Sequence, residues 1–376
     1  MSHLIYVDNA ATSWPKAPTV PQAMSDALTG EVGNVGRSSH TASIAASEIV
    51  YQGRVTNQKL LPYVHRNNII FTSGATESLN IAIQGSVEAG HTILVSSVEH
   101  NAVARVIHHL SFKGVTYKKL VCDASGVVDL TDLKKKLEKE RISLVVITHA
   151  NNVNGAINPI QEIASMCASY GAPLVVDASQ TAGEIELPTV EYGAICFSHH
   201  KGLLGPPGVG VMALVGDFAP RPLLFGGTGS NSESVVQPSL TPDAYESGTL
   251  PIASISGASS GIEYVLEHWD ELQRTRKEAH LLLYDLLVEK QSVRILTPKE
   301  QSVSVLSLAG EKTVLDEIAL LLYQHNIAVR GGFHCAPWAH QHFGTDHSGG
   351  TIRFSVGPTT QKSDIERIIT VLEDIR

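Results

Sequence analysis

Lys201 stands in Phe197-Ser198-His199-His200-Lys201-Gly202-Leu203-Leu204-Gly205-Pro206-Pro207-Gly208, between apolar runs at 193–197 and 209–214. Such a stretch reads as a loop joining two buried strands. A lysine amine held out of water can lose its proton and form a Schiff base with an aldehyde. Pyridoxal 5'-phosphate (PLP) is the aldehyde cofactor that uses a lysine in this way, and its pyridinium nitrogen needs a carboxylate. Asp177, in Leu174-Val175-Val176-Asp177-Ala178-Ser179-Gln180, lies upstream at the carboxyl end of an expected buried strand. Open α/β sheets bind ligands at that end. A metal ligand or a helix cap would be other uses of the same carboxylate.

Further residues fit around this pair. Phe71-Thr72-Ser73-Gly74-Ala75-Thr76-Glu77 is a strand end, a glycine turn and a helix start. Free N–H groups and a positive dipole end make such a start an anion site, although an ordinary capped helix has the same pattern. Gln180 can donate to a cofactor ring oxygen. So can Asn152, in Asn151-Asn152-Val153-Asn154-Gly155, where turn chemistry is the alternative use. His100, in Val98-Glu99-His100-Asn101, follows a strand and can stack on a flat ring or simply fill space.

Cys335 lies in Val329-Arg330-Gly331-Gly332-Phe333-His334-Cys335-Ala336-Pro337-Trp338. An arginine, a histidine and flexible glycines favour an exposed thiolate; the alternatives are a tolerated free cysteine or a metal ligand. The neighbouring His334, His340, His342 and His347 fit no common zinc spacing, so no metal is expected. Arg353, in Gly350-Thr351-Ile352-Arg353-Phe354-Ser355, can clamp a substrate carboxylate or serve a structural ion pair.

These side chains need a scaffold. The 376 residues, 43% of them hydrophobic and 17% charged, support a large core and more than one domain. The formal charge of −9 argues against nucleic acid or an anionic membrane as the main partner. No apolar run reaches membrane-spanning length, the first residues do not read as a signal peptide, and the four scattered cysteines form no disulfide framework; a cytoplasmic protein is expected. After an opening strand within residues 1–8, helices are expected at 21–28 and 41–63. Strands follow at 68–72, 92–96, 115–121, 144–148, 173–177, 194–197 and 209–214, with helices at 75–88, 101–112, 130–140 and 160–169 between the early ones. Continuous Val/Ile/Leu strands alternating with helices mean a mostly parallel sheet covered on both faces. The polar 226–248 stretch reads as a long functional loop. One long helix is expected at 255–289. A second α+β layer then has strands near Val293 and at 302–308, 327–330 and 351–355, and helices at 314–324 and 361–375. The domain boundary falls in the long helix.

Taken together, Thr72-Ser73-Gly74-Ala75-Thr76-Glu77, Val176-Asp177-Ala178-Ser179-Gln180, Ser198-His199-His200-Lys201-Gly202, Glu246-Ser247-Gly248-Thr249 and Arg330-Gly331-Gly332-Phe333-His334-Cys335 resemble the class V aminotransferase family of fold-type I PLP enzymes. Within it they resemble the cysteine desulfurase / selenocysteine lyase branch. The resemblance runs from Tyr6 to Arg353. It implies an α/β fold with a large PLP-binding domain (16–255) built on a mostly parallel seven-stranded sheet. A smaller α+β domain (1–15 and 256–376) would carry the Cys335 loop and Arg353. It implies that Lys201 binds PLP and moves the substrate Cα proton, that Asp177 pairs with the pyridine nitrogen and that His100 stacks on the ring. Gln180 and Asn152 would lie near the ring oxygen and substrate. Ala75, Thr76, Ser198 and His200 would hold the phosphate, with Thr249 reaching it from the neighbouring subunit of a homodimer. Arg353 would bind the substrate carboxylate, and Cys335 would accept sulfur from L-cysteine as a persulfide, for transfer to an acceptor protein. The alternatives are a selenocysteine or cysteine/cystine C–S lyase, which needs no such thiolate, and a non-catalytic PLP-fold adaptor. One departure stands out: relatives with a short loop carry two histidines before the cysteine, and here the first is Phe333.

Overall fold

The computed structural model describes residues 3–36, 39–230, 232–290 and 292–373. In chain order the strands are β1 (Ile5–Tyr6), β2 (Ile69–Thr72), β3 (Thr92–Val95), β4 (Thr116–Lys119), β5 (Leu144–Thr148), β6 (Leu174–Asp177), β7 (Gly193–Ser198), β8 (Gly210–Val215), β9 (Arg294–Ile295), β10 (Val305–Ala309), β11 (Ile327–Ala328), β12 (Arg330–Gly332) and β13 (Thr351–Ser355). The helices are α1 (Val20–Thr29), α2 (Thr41–Gln58), α3 (Ala75–Gln84), α4 (Asn101–Ser111), α5 (Leu130–Lys139), α6 (Ile160–Ser169), α7 (Ile252–Glu267), α8 (Trp269–Leu287), α9 (Lys312–Gln324), α10 (Pro337–Phe343) and α11 (Lys362–Leu372).

Seven strands form the central sheet in the order β2-β8-β7-β6-β5-β3-β4. All neighbours are parallel except that β8 runs antiparallel to both β2 and β7. The middle strands β5, β6, β7 and β8 are buried along their whole length, as their unbroken Val/Ile/Leu character requires of a sheet covered on both faces. A second sheet of four strands, β12-β13-β10-β9, and a parallel β1–β11 pair build the smaller layer.

The expected elements appear with ends shifted by a few residues in either direction, and three differ in kind. The single long helix at 255–289 is two helices, α7 and α8, meeting at His268. Ile255, Ala258 and Ile262 of α7 pack on the core beneath the large sheet, whereas Ala279, Leu283 and Leu287 of α8 pack on the smaller layer's core. A helix that changes cores must change direction, and the break at His268 does this. The histidine-rich stretch after Cys335 contains α10, which the sequence reading left without structure; Pro337 starts it and Gly344, in the left-handed region at φ 67°, ends it. The expected strand at 327–330 divides into β11 and β12, which belong to different sheets. The expected helix 361–375 is seen as α11, and its final residues lie outside the described ones, as do the first two residues of the chain.

One buried ion pair ties the front of the large sheet to the long loop. Glu246 accepts from Arg54 at both oxygens (2.8 and 2.5 Å) and, at Oε1, from the Phe71 backbone N–H (2.7 Å). Phe71 lies on β2 just before the turn into α3, and Thr249 follows Glu246 closely. Removing one partner strands a buried charge. Glu246→Ala is therefore expected to lower the unfolding free energy by about 3–5 kcal/mol, read from urea denaturation of purified protein.

Candidate active site

The carboxyl ends of β5, β6 and β7 open into a cavity of about 220 Å³. It brings together ten of the twelve sequence candidates: Ala75, Thr76, His100, Asn152, Asp177, Gln180, Ser198, His200, Lys201 and Arg353 all line it. The other two lie outside the lining. Cys335 is exposed beside it, and Thr249 is exposed on the long loop.

Lys201 is carried by the turn after β7. That turn is held from both sides. His199 is fully buried and hydrogen-bonds Asn57 Oδ1 (2.9 Å) and the Val209 carbonyl (3.2 Å). The His200 carbonyl accepts from the Ser13 backbone N–H (2.8 Å) and from Lys16 Nζ (2.9 Å). With its backbone so fixed, the Lys201 amine opens on the cavity and makes no hydrogen bond or ion pair among the described residues. Burial lowers its pKa to about 8, against the ordinary 10.5. The Asp177 carboxylate works in the opposite direction, and the Arg353 and Arg330 guanidiniums lower it further.

Asp177 ends β6 and is nearly fully buried. Its Oδ1 accepts from the Ser179 backbone N–H (3.0 Å) and hydroxyl (2.5 Å). Among the described residues nothing hydrogen-bonds its Oδ2, which leaves an acceptor for a ligand N–H. His100 caps α4, its Nδ1 accepting from the Ala102 backbone N–H (3.0 Å), so the ring is fixed and its proton sits on Nε2. Burial lowers its pKa to about 4, which makes it a neutral, flat surface. Gln180 Nε2 donates to the Ala10 carbonyl (3.2 Å).

At another part of the wall stands the N-terminus of α3. The Ala75 N–H donates to Ser198 Oγ (2.7 Å). Gly210 on β8 faces this turn, where a Cβ would lie 2.4 Å from the Gly74 carbonyl carbon, so only glycine lets the helix start approach β7 and β8 this closely. Ala75, Thr76, Ser198 and His200 thus make one concave corner at a positive dipole end.

Arg353 is almost wholly buried. It pairs with Asp8 (Nη2–Oδ1 2.9 Å) and donates from Nη1 to the Asn152 carbonyl (3.0 Å), so the structural ion pair is real. Its Nε is buried without a partner among the described residues, while the side chain still lines the cavity. The structure adds residues that the sequence reading did not place here. Arg330 and His334 were read only as surroundings of the cysteine, yet both line the cavity. Ala10 and Ala11 line it too, and Asp8 holds Arg353; the run Asp8-Asn9-Ala10-Ala11-Thr12 was the available signal. Glu99 is fully buried, with a pKa raised to about 8 by burial, and accepts from Ser96 Oγ (2.5 Å) and Thr148 N (2.8 Å) beneath His100.

Cys335 is fixed rather than free. The Asn101 N–H donates to its carbonyl (2.7 Å), and Asn152 Nδ2 donates to the His334 carbonyl (2.7 Å). His334 and Cys335 both occupy the left-handed region, at φ 46° and 56°, which side-chain-bearing residues rarely adopt. Arg330 Nη2 donates to the thiol sulfur at 3.6 Å. Of the histidines weighed as metal ligands, His334 and His340 each hydrogen-bond a threonine hydroxyl, Thr351 and Thr345 (both 2.7 Å), and His342 meets the Asp123 carbonyl (2.7 Å).

Comparison with known proteins agrees with this geometry. The family profile described as "Aminotransferase class-V" matches residues 5–368, and the chain belongs to that family. It is 30% identical to "Cysteine desulfurase IscS" of Dictyoglomus turgidum, covering 100% of this chain and 95% of that protein. It is also 30% identical to a "Probable cysteine desulfurase" of Chlamydia muridarum, covering 99% and 94%. The solved apo structure of a cysteine desulfurase from Thermococcus onnurineus NA1 superposes with a TM-score of 0.90 at 27% identity, covering 99% of this chain and 94% of that one.

The lysine environment gives a direct expectation. Trapping of a simple aldehyde on Lys201 with borohydride, followed by mass spectrometry, should rise with a midpoint near pH 8 rather than the ordinary 10.5. Asp177 favours the ammonium form, so Asp177→Asn should move that midpoint to lower pH.

Proposed function

We propose that this chain is a PLP-dependent cysteine desulfurase that converts L-cysteine to L-alanine and takes the sulfur onto Cys335. The observation that carries the proposal is an unpaired, desolvated Lys201 amine in a cavity with a buried carboxylate, with a fixed cysteine and Arg330 at its edge. The residues fit PLP. Asp177 keeps an acceptor for a pyridinium N–H, His100 offers a neutral face, and the α3 corner suits a phosphate dianion. Gln180 and Asn152 would stand near the ring oxygen and the substrate. When bound, PLP supplies an aldehyde for amines and an electron sink for the carbon next to them.

The chain's own groups do the rest. Lys201 would hold the cofactor through its amine and would be the base for the substrate Cα proton. Its lowered pKa lets it act as a base near neutral pH. Arg353 and Arg330 attract the substrate carboxylate to one side of the cavity. The Cys335 thiolate attacks the substrate sulfur, so an S–S bond forms as the carbon–sulfur bond breaks; Cβ takes up a proton, Lys201 returns one to Cα, and the product leaves as alanine.

Assembly and location belong to the same reading. Leu224, Phe225, Val235, Val236 and Leu240 are all exposed, on the same 223–250 loop as Thr249. A homodimer would cover them and bring Thr249 to a neighbouring phosphate corner. Separate cores beneath α7 and α8 support a division into a large and a small domain, but Ala258 and Ile262 pack on the large core, which favours a boundary near His268 over one at 255. Among the described residues no helix is long and apolar enough to cross a membrane. A cytoplasmic enzyme passing sulfur to an acceptor protein is the reading these features support.

The test is alanine formation from L-cysteine and, separately, L-selenocysteine. Cys335→Ala should abolish alanine from cysteine while the PLP absorbance remains. Activity on cysteine that survives the substitution would make the enzyme a lyase, in which the thiol is a bystander.

A further inference from the structure

The two left-handed residues at the cysteine, His334 and Cys335, are consecutive, and such backbone persists only where its surroundings over-determine it. On the upstream side the restraint is a strand pairing: β12 runs antiparallel to β13, with Gly332 opposite Thr351. On the downstream side Ala336 alone separates Cys335 from α10, a helix of seven residues. Isolated helices below about 12–15 residues are marginal in water, so α10 depends on what it packs against. Whatever fixes α10 also fixes the downstream end of the cysteine loop.

Two sets of contacts do this. Ala336, Ala339 and Phe343 pack in a small core that includes Val98 and Val153. Trp338 instead reaches the edge strand of the large sheet. Its ring stacks on Tyr117 of β4, with centroids 5.8 Å apart and planes 22° from parallel. Lys119 Nζ lies over the same ring, 4.0 Å from its centroid. Tyr117 and Lys119 are two residues apart on β4 and so share a face of the strand. Tyr117 and Trp338 both border the core formed by α3, α4 and the large sheet, and α4 is the helix that His100 caps. Trp338 thus ties α10 to the sheet that carries Asp177. It is not among the residues lining the active-site cavity, so it acts on the chemistry only through the loop.

We propose, on the reading of Cys335 as the sulfur acceptor, that Trp338 is a positioning residue for sulfur transfer. Its contacts with Tyr117 and Lys119 hold α10, and α10 holds the Cys335 thiol at the cavity edge where the substrate sulfur arrives. The step it serves is the attack by Cys335. Cofactor holding and Cα proton removal lie with residues of the cavity wall, which Trp338 does not touch. Releasing α10 misaligns the thiol and leaves those earlier steps intact, and lost orientation shows as lost rate rather than lost binding.

Alanine formation by the PLP-loaded protein, together with hydrogen exchange read by mass spectrometry, tests this. Trp338→Ala should lower kcat on L-cysteine by about tenfold or more, with KM within about twofold of the wild type. The PLP absorbance should not change. Exchange of the L-alanine Cα proton with D2O, which needs Lys201 and not the thiol, should stay within about twofold. Amide exchange over residues 330–336 should be about tenfold faster in the variant, with β5, β6 and β7 unchanged. Trp338→Phe keeps a stacked ring and should restore most of the lost rate. Lys119→Met removes the charge over the ring, should lower kcat by about twofold to fivefold, and decides the matter if Trp338→Ala does not fold. An unchanged kcat on cysteine in the folded variant overturns the proposal. An equal loss of alanine Cα exchange overturns it too, since Trp338 would then be a general structural residue. Wild-type protein that forms no alanine from cysteine takes down the underlying reading and this proposal with it, whereas unchanged amide exchange at 330–336 in Trp338→Ala takes down the anchor alone.

Discussion

An amine facing a cavity walled by protein, with no counter-ion in contact among the described residues, is the constraint on which the site depends. Desolvation favours the neutral form of Lys201, and the protein does not relieve this with a salt bridge. It balances it at a distance, through the Asp177 carboxylate on the neighbouring strand. The cost is sustained by backbone that cannot relax. His199 anchors the turn inward to Asn57 and Val209, and the Ser13 and Lys16 contacts hold it from outside. A looser turn would let the ammonium reach water and return to its ordinary basicity.

The same economy governs the smaller layer. The segment 8–13 reaches both parts of the molecule: Ala10 N donates to Ser355 Oγ (2.9 Å) on β13, and Ser13 N donates to the His200 carbonyl. Arg353 on β13 is neutralised by Asp8 of that segment and donates to the Asn152 loop. Asn152 in turn holds the His334 carbonyl, and Asn101, just after His100, holds Cys335. Cys335, Arg353 and the segment carrying His100 are therefore joined by three hydrogen bonds. Buried networks of this kind fix geometry because each broken member leaves another unsatisfied. The two left-handed residues at the cysteine show where that geometry is imposed against local preference.

Much of this was legible in the chain. Strand ends and the glycine turns beside them are where α/β sheets present function, so pattern made Lys201, Asp177, Asn152, His100 and the Ala75 corner candidates, and the family resemblance supplied the roles expected of them. Their apolar strands left little doubt about the parallel sheet. What the chain did not disclose was long-range. Nothing near Arg353 announces that Asp8 is its partner, because the two meet only when β13 and the first segment are brought side by side. The break at His268 was hidden because both halves of 255–289 have helical periodicity, and only the change of core beneath them demands a turn. Nothing in the sequence around Glu99 announces that its carboxyl group is fully buried. Placing Cys335 beside the cavity rather than in its wall likewise depends on backbone torsions that Gly331 and Gly332 permit but do not dictate.

Peptide mapping by mass spectrometry after a single addition of L-cysteine to the PLP-loaded protein tests the central claim most directly. The peptide containing Cys335 should gain the mass of one sulfur atom, removable by a thiol reductant, while Cys122, Cys167 and Cys196 stay unmodified. Alanine formed in stoichiometric amount with Cys335 unmodified would contradict sulfur transfer to this residue.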